Sequence, residues 1–367
     1  EIPVGGNDDA FENNFGGSGS ETILQVFSLN NHIVIGKTNS NNYYFENKTG
    51  SLFVATIDFN GNFKKLVVAN ENYNFTFVNA ILFNNNIYIL INNNGYKVYI
   101  YNLIKNTLDK VSEGNQTGIM LTSTSSPILI CNDDVFSYAI NLATNKTTKI
   151  DTTISEIVSI SPFSEDLLVI FNSNFSFKIA HLTQDSFSII KNFENCNVIN
   201  FNINKNNYIF LIKTKTQTEF LILDKSFNVC GDVVTHKNLA SNIYNFGTYN
   251  TMIFLENNQL TSLEFCLHGD ELAINSICDN VISFSSLLVN NEIIVFANLE
   301  NQINIYKVSS HNSIELIDSV LNVGGLNITN ISLINNNLTV MGTINQINSI
   351  ITNCYGSQDM FIFEFAL

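Results

Sequence analysis

The chain has 367 residues, a net charge of −15, only 13% charged residues and a pI of about 4.6. This balance sets nucleic acid aside, since phosphate binding needs a basic footprint, and it disfavours an anionic membrane surface for the same reason. No apolar run approaches the roughly 20 residues that span a bilayer as a helix. With 45% hydrophobic residues a large core is available, and Pro occurs only three times. About sixty residues are Asn, mostly in twos and threes between apolar runs. Asn tolerates φ > 0 and forms Asx-turns, so the bias reads as hairpin chemistry. No stretch with a 3.6-residue period carries both a helix cap and a stop.

Along the chain one phrase recurs about eight times: apolar strand, Asn-rich turn, apolar strand, turn, apolar strand, polar turn. Phe83-Asn84-Asn85-Asn86-Ile87-Tyr88-Ile89-Leu90 is one copy; Leu288–Phe296 and Leu333–Val340 are others. First strands of the repeats fall near residues 22, 76, 118, 155, 197, 240, 281 and 326. A period near forty made only of strands predicts a β-propeller of eight four-stranded blades, or seven if two of these strands share a blade. The second repeat predicts strands over 76–83, 86–91, 96–103 and 108–112; the fifth, over 198–203, 208–213, 219–224 and 228–234. Middle strands such as Leu167-Leu168-Val169-Ile170-Phe171 are apolar on both faces, as stacking between neighbouring blades requires.

The last repeat supplies three strands, over 327–333, 338–342 and 360–365, and then the chain stops. An open edge there is adhesive. The segment 9–15, with Ala10, Phe11 and Phe15, is expected to pair outside the strand holding Met360, Phe361 and Phe363 and so complete the blade. The whole chain then reads as one propeller domain, with residues 1–8 as an extension in which Ile2 and Val4 are apolar enough to dock on a neighbouring copy.

Phe15-Gly16-Gly17-Ser18-Gly19-Ser20-Glu21, followed by Gln25–Ser40, resembles the SBBP-type β-propeller repeat. Gly50–Gly61, Val340–Thr343 and Gly356–Phe363 are similar to that repeat's continuation; the likeness covers about a quarter of the chain. Leu52 stands where the family carries Asp. The resemblance implies a secreted or surface propeller, usually a module of larger adhesive or structural proteins, with no shared catalytic residues. It also implies that the glycine-rich phrase follows an outer strand, in keeping with closure by residues 9–15.

The chain begins with Glu1, from which a removed signal peptide and a secreted or cell-surface location are expected. Sequons at Asn47, Asn74, Asn115, Asn145, Asn174, Asn327, Asn330 and Asn337 then become candidates for N-linked glycans, although chance alone gives about eight in so Asn-rich a chain. Those at turns are expected to be accessible; Asn74 and Asn327, next to first strands, less so. Six Cys occur without metal-ligand spacing; the even count fits up to three disulfides or buried free thiols, and Cys266 and Cys278, flanking one hairpin, are the favoured pair if bridges form.

Catalytic motifs are missing: His32, His181, His236, His268 and His311 fall in different repeats, and there is no nucleophile elbow or P-loop. No catalytic residue, metal site or cofactor is therefore expected. Asp8-Asp9 with Glu12, Asp58–Asn62 and Asn132–Asp134 are weak Ca²⁺ candidates, and Asp58–Asn62 reads better as a turn. Tyr43, Tyr44 and Phe45 lie in a long excursion of the first repeat and are candidates for loop binding. The function expected is that of a noncatalytic extracellular structural or adhesive protein that self-associates, even into a filament. The alternative is a lectin-like propeller binding glycans or other extracellular proteins.

Overall fold

The computed structural model describes residues 12–15, 18–46, 50–59, 62–123, 125–133, 135–163, 166–183, 186–203, 207–215, 218–230, 234–236, 241–246, 249–266, 271–300, 302–309, 313–321, 327–334, 337–344 and 359–366. Among them are eight four-stranded antiparallel sheets, each a blade. β1 (Glu12–Phe15) opens the chain, and blade 1 follows as β2 (Glu21–Ser28), β3 (His32–Thr38), β4 (Leu52–Ile57) and β5 (Phe63–Ala69). Blade 2 is β6 (Thr76–Phe83), β7 (Asn86–Asn92), β8 (Tyr96–Asn102) and β9 (Thr107–Gly114). Blade 3 is β10 (Thr117–Ser123), β11 (Pro127–Asn132), β12 (Ser137–Asn141) and β13 (Thr147–Ile150). Blade 4 is β14 (Glu156–Phe163), β15 (Asp166–Ser173), β16 (Ser176–Leu182) and β17 (Phe187–Glu194). Blade 5 is β18 (Asn197–Ile203), β19 (Asn207–Lys213), β20 (Thr218–Asp224) and β21 (Val234–His236). Blade 6 is β22 (Ser241–Asn245), β23 (Tyr249–Glu256), β24 (Gln259–Cys266) and β25 (Glu271–Cys278). Blade 7 is β26 (Ser283–Val289), β27 (Glu292–Asn298), β28 (Gln302–Val308) and β29 (Ile314–Leu321). Blade 8 is β30 (Asn327–Ile334), β31 (Asn337–Ile344) and β32 (Asp359–Ala366), completed by β1.

Successive four-stranded meanders of this kind are a β-propeller, as the strand rhythm predicts, and the eight first strands start within about two residues of their expected places. One outer strand differs: residues 228–234 were expected in blade 5, but Asn228 closes a turn on Asp224 and the strand is Val234–His236. Contacts divide the chain into two compact units: residues 1–118 with 322–367, and residues 119–321.

In the first unit β1 pairs antiparallel with β32, Glu12 opposite Phe363 and Phe15 opposite Met360. The N-terminal segment thus closes the last blade as expected; Ile2, Val4, Ala10 and Phe11 lie outside the described residues. Blades 1 and 2 share a core of Ile33, Ile35, Leu52 and Val54 against Ile87, Ile89, Ile91 and Tyr101. In the second unit the period of two is plain on β15. Leu168 and Ile170 pack toward Phe210 and Ile212 of blade 5, while Leu167, Val169 and Phe171 pack toward Ile128 and Ile130 of blade 3. Each such side chain contributes roughly 1.5–3 kcal/mol by leaving water.

Asn plays two structural parts. Of the non-glycine residues described at positive φ, twelve are Asn and two are Phe. Asn84-Asn85, Asn257-Asn258 and Asn290-Asn291 form two-residue hairpin turns with both φ values between 48° and 63°, the handedness that matches strand twist. Asn92, Asn132 and Asn172, 40 residues apart at the ends of second strands, instead reach across to the next segment of backbone. Asn92 donates to the Gly118 carbonyl and accepts from its amide, both at 2.8 Å. Asn172 does the same with Val198, again both at 2.8 Å, and Asn132 donates to the Ile154 carbonyl at 2.6 Å.

Outer strands carry bulges. Lys64 in β5, Val111 in β9, Ile190 in β17 and Ile317 in β29 are each passed over in the register with the neighbouring strand. A bulge twists a free edge and makes it a poor template for an added strand.

Candidate binding cleft

The turns joining β2 to β3, β6 to β7 and β8 to β9 gather around an open cleft of about 860 Å³ between blades 1 and 2. Its lining is Leu29, Asn30, Asn31, Ile33, Thr56, Leu82, Phe83, Asn84, Asn85, Leu103, Ile104 and Asn106. Each wall follows from local chemistry. Asn84 and Asn85, at φ 48° and 59°, put the tip of the β6–β7 hairpin at the rim. The Asn102 side-chain oxygen accepts from the amides of Ile104 (3.0 Å) and Lys105 (2.7 Å), an Asx-turn that presents Ile104. Below, the Tyr101 hydroxyl donates to Asn106 Oδ1 at 2.9 Å and lies 3.2 Å from Thr56 Oγ1. No lining residue ionises. The cleft can therefore bind through amides and apolar contact, and it holds no acid–base pair.

Two buried carboxylates, Glu21 and Glu71, are engaged elsewhere. Glu21 is fully buried and its Oε1 accepts from Thr38 Oγ1 (2.6 Å) and Ser40 Oγ (2.5 Å). Ser40 Oγ also accepts from the Gly19 amide at 2.8 Å, and Asn39 Oδ1 from that of Ser20 at 2.5 Å. A Cβ on Gly19 would sit 2.0 Å from Asn39 Oδ1, so a larger residue there would push the Asn39 side chain off the Ser20 amide. The Gly-Ser-Glu phrase is thus a clasp for the start of blade 1. Glu71 accepts from Lys97 Nζ and Asn93 Nδ2, each at 2.9 Å, and from the Tyr99 hydroxyl. Burial pushes its carboxyl up, but the bonds from Tyr99, Lys97 and Asn93 outweigh that and hold it below the usual range.

His32 is fully buried, with Nδ1 3.2 Å from Ser28 Oγ and its ring edge-on to Phe59. Burial lowers its pKa to about 4, against the opposing pull of Asp58. The folded state therefore binds this proton less readily than the unfolded one. The stabilisation is complete above pH 6.5 and is lost as pH falls from 6.5 toward 4. About 3 kcal/mol is expected to disappear across that window. His32→Leu should flatten this part of the stability–pH curve, read by urea unfolding; an unchanged slope refutes the assignment.

Other candidates separate. Phe45 is fully buried against Phe53, with ring centroids 5.3 Å apart, so it plugs the core of blade 1 and cannot serve as a loop contact. The short 3-10 turn Tyr43–Phe45 ends in this anchor and Tyr44 is exposed, leaning on Phe63, while the side chain of Tyr43 lies outside those described. Cys266 and Cys278 do not bridge: Cys278 pairs with Leu260, six residues along β24 from Cys266. At about 3.4 Å per residue that is roughly 20 Å, far beyond disulfide reach. Asn74, Asn115, Asn145 and Asn174 are exposed; for Asn74 this reverses the expectation, because it sits in the turn before β6. Asn327 and Asn330 lie in β30 and Asn337 starts β31, while Asn47 falls outside the described residues. Asp58 accepts from the Asn62 amide at 2.7 Å and pairs with Lys64 at 2.8 Å, and Asp133 accepts from Val135, Phe136 and Tyr138. Both are turn caps. Asp8 and Asp9, Asp134, His268 and His311 lie outside the described residues.

No protein-family model and no curated protein matches the chain. Solved structures do, at the level of fold. The propeller of Dos1 is 12% identical with a TM-score of 0.57, covering 95% of this chain and 94% of that one. Dihydro-heme d1 dehydrogenase NirN in complex with DHE is 8% identical at TM-score 0.60, covering 88% and 71%. A prolyl endopeptidase is 9% identical at TM-score 0.52, covering 89% of this chain, which spans only 55% of the endopeptidase. At such identities the likeness carries the propeller fold and nothing about activity.

The cleft itself was not anticipated. Its signal is an apolar residue one or two places ahead of an Asn pair, Leu29 before Asn30-Asn31 and Leu82 before Asn84-Asn85, a pattern that also serves turn formation.

Proposed function

We infer that the chain is a noncatalytic extracellular propeller of structural or adhesive kind, which works by association and not by turnover. The observation that carries this reading is the uncharged lining of the cleft between blades 1 and 2. Glu21 and Glu71, whose burial would suit catalysis, are tied into structural networks. The resemblance to SBBP-type repeats and the exposed sequons at Asn115, Asn145 and Asn174 support secretion and N-linked glycans. Self-association into a filament is part of the proposal. The bulged outer strands favour contact through the turns at the strand ends over strand addition at an edge. A ligand-binding, lectin-like role is the second reading, favoured by the cleft.

The test uses native material. Denatured subunits should weigh more than the bare 41.1 kDa, and light scattering with electron microscopy should show assemblies that grow with concentration. A subunit of bare mass that stays monomeric at high concentration overturns the secreted, self-associating reading and leaves the ligand-binding one.

A further inference from the structure

Resting on the reading of a noncatalytic binding propeller, we propose that the cleft between blades 1 and 2 is a binding site for a neutral oligosaccharide, gripped by Asn30, Asn31, Asn84 and Asn85 beside an apolar flank of Leu29, Leu82 and Ile104. The first argument is open bonding capacity. Asn102 and Asn106 spend their side-chain amides on the protein, but those of Asn30, Asn31, Asn84 and Asn85 have no hydrogen-bond partner among the described residues. A carboxamide offers a donor and an acceptor side by side, which suits a pair of neighbouring sugar hydroxyls.

The second is the apolar flank. Leu29, Leu82 and Ile104 are 38%, 39% and 75% exposed. Such side chains suit the C–H face of a pyranose ring, and polar groups set among apolar ones typify ligand sites of about 300–1,000 Å³. The cleft falls in that range at about 860 Å³.

The third is charge. In a chain of net charge −15 the lining holds no ionic group. A sulfated or carboxylated glycan would lose hydration there without gaining an ion pair. An extended peptide fits poorly as well, because the rim is made of closed hairpin tips and offers no free strand edge to pair with. The same tip recurs in blade 7, where Leu288 is 43% exposed ahead of Asn290-Asn291 at φ 49° and 63°. Repetition of a weak sugar subsite along a propeller is a route to avidity.

The experiment presents the full chain to immobilised oligosaccharides ending in glucose, mannose, galactose or N-acetylglucosamine, with a heparin-type hexasaccharide as the charged comparator. Binding to at least one neutral class is expected, and it should be insensitive to added salt because it involves no ion pair. N84G/N85G keeps a backbone free to adopt positive φ and should weaken binding by about tenfold or more, with melting unchanged. L82S, at an exposed position, should weaken it similarly, whereas N257G/N258G, a like turn elsewhere, should not. Absence of neutral binding, salt-sensitive binding to the heparin-type sugar alone, or full affinity in both cleft variants overturns the site. If adhesion or self-association persists in that case, the noncatalytic reading stands. Shortening of the bound oligosaccharide would instead overturn the noncatalytic reading and leave the site in place.

Discussion

Removal of residues 1–15 is expected to leave blade 8 a three-stranded sheet with β32 as a bare edge, and to make the chain aggregate. β1 pairs residue for residue with β32 over Glu12–Phe15. At about 1 kcal/mol for each ladder hydrogen bond lost, the direct cost is of order 2–4 kcal/mol. The indirect cost is larger. The uncovered strand reads Asp-Met-Phe-Ile-Phe-Glu-Phe-Ala, rich in aromatic and branched residues, and an exposed edge of that kind templates addition of further strands. Point variants separate closure from simple shortening. In an antiparallel pair successive amides alternate in direction, so either Asn13→Pro or Asn14→Pro must remove a donor aimed at β32. One of the two should reproduce part of the loss and the other much less. Thermal unfolding followed by fluorescence and light scattering reads both effects; unchanged melting and solubility of the deletion would show that β1 does not close the blade.

Asn172→Ala is expected to be the most damaging single change among the Asn residues, at about 4 kcal/mol. The side chain is 4% exposed and saturated: it donates to Val198 O (2.8 Å) and Glu156 Oε2 (3.0 Å) and accepts from Val198 N (2.8 Å). Alanine would leave a buried amide and a buried carbonyl of β18 unpaired, each costing about 1–3 kcal/mol. Asn172→Asp should be nearly as harmful at neutral pH, since a carboxylate cannot donate to the carbonyl and faces Glu156. Its harm should ease as the pH falls and the new acid is protonated. Asn174→Gly, two residues on, is the contrast. That position is an exposed turn at φ 48°, which glycine adopts without strain, so a change of about 0.5 kcal/mol or less is expected. Equal losses at 172 and 174 by urea unfolding would refute the distinction between the two kinds of Asn.

These two residues also show where sequence reading stops. Asn172 and Asn174 look alike in the run Phe-Asn-Ser-Asn-Phe, and both sit at the end of an apolar strand. Turn formation is local: it depends on the φ values an Asn accepts and on the strands either side. The bridge from Asn172 to Val198 spans 26 residues and exists only once β14 to β17 have folded back to bring β18 alongside. The same holds for Phe45. Its neighbours suggested an exposed loop, yet it fills the core beside Phe53 because the excursion after β3 folds inward. Cys266 and Cys278 looked adjacent across a hairpin, but register placed them at opposite ends of it.

The blade is written in local sequence. Strand length, the period of two and Asn at the tips are properties of short segments, and they recur with every repeat. Closure by the N-terminal strand was also legible, because a last repeat with one strand missing demands a partner. Which polar groups spend their hydrogen bonds inside the protein, and which face an open cleft, is settled by tertiary packing. Glu21 and Glu71 are consumed by clasps built from distant residues, while Asn30, Asn31, Asn84 and Asn85 come together at one open cleft from two different blades. That division depends on packing between blades, which joins residues far apart in the chain, and no local pattern encodes it.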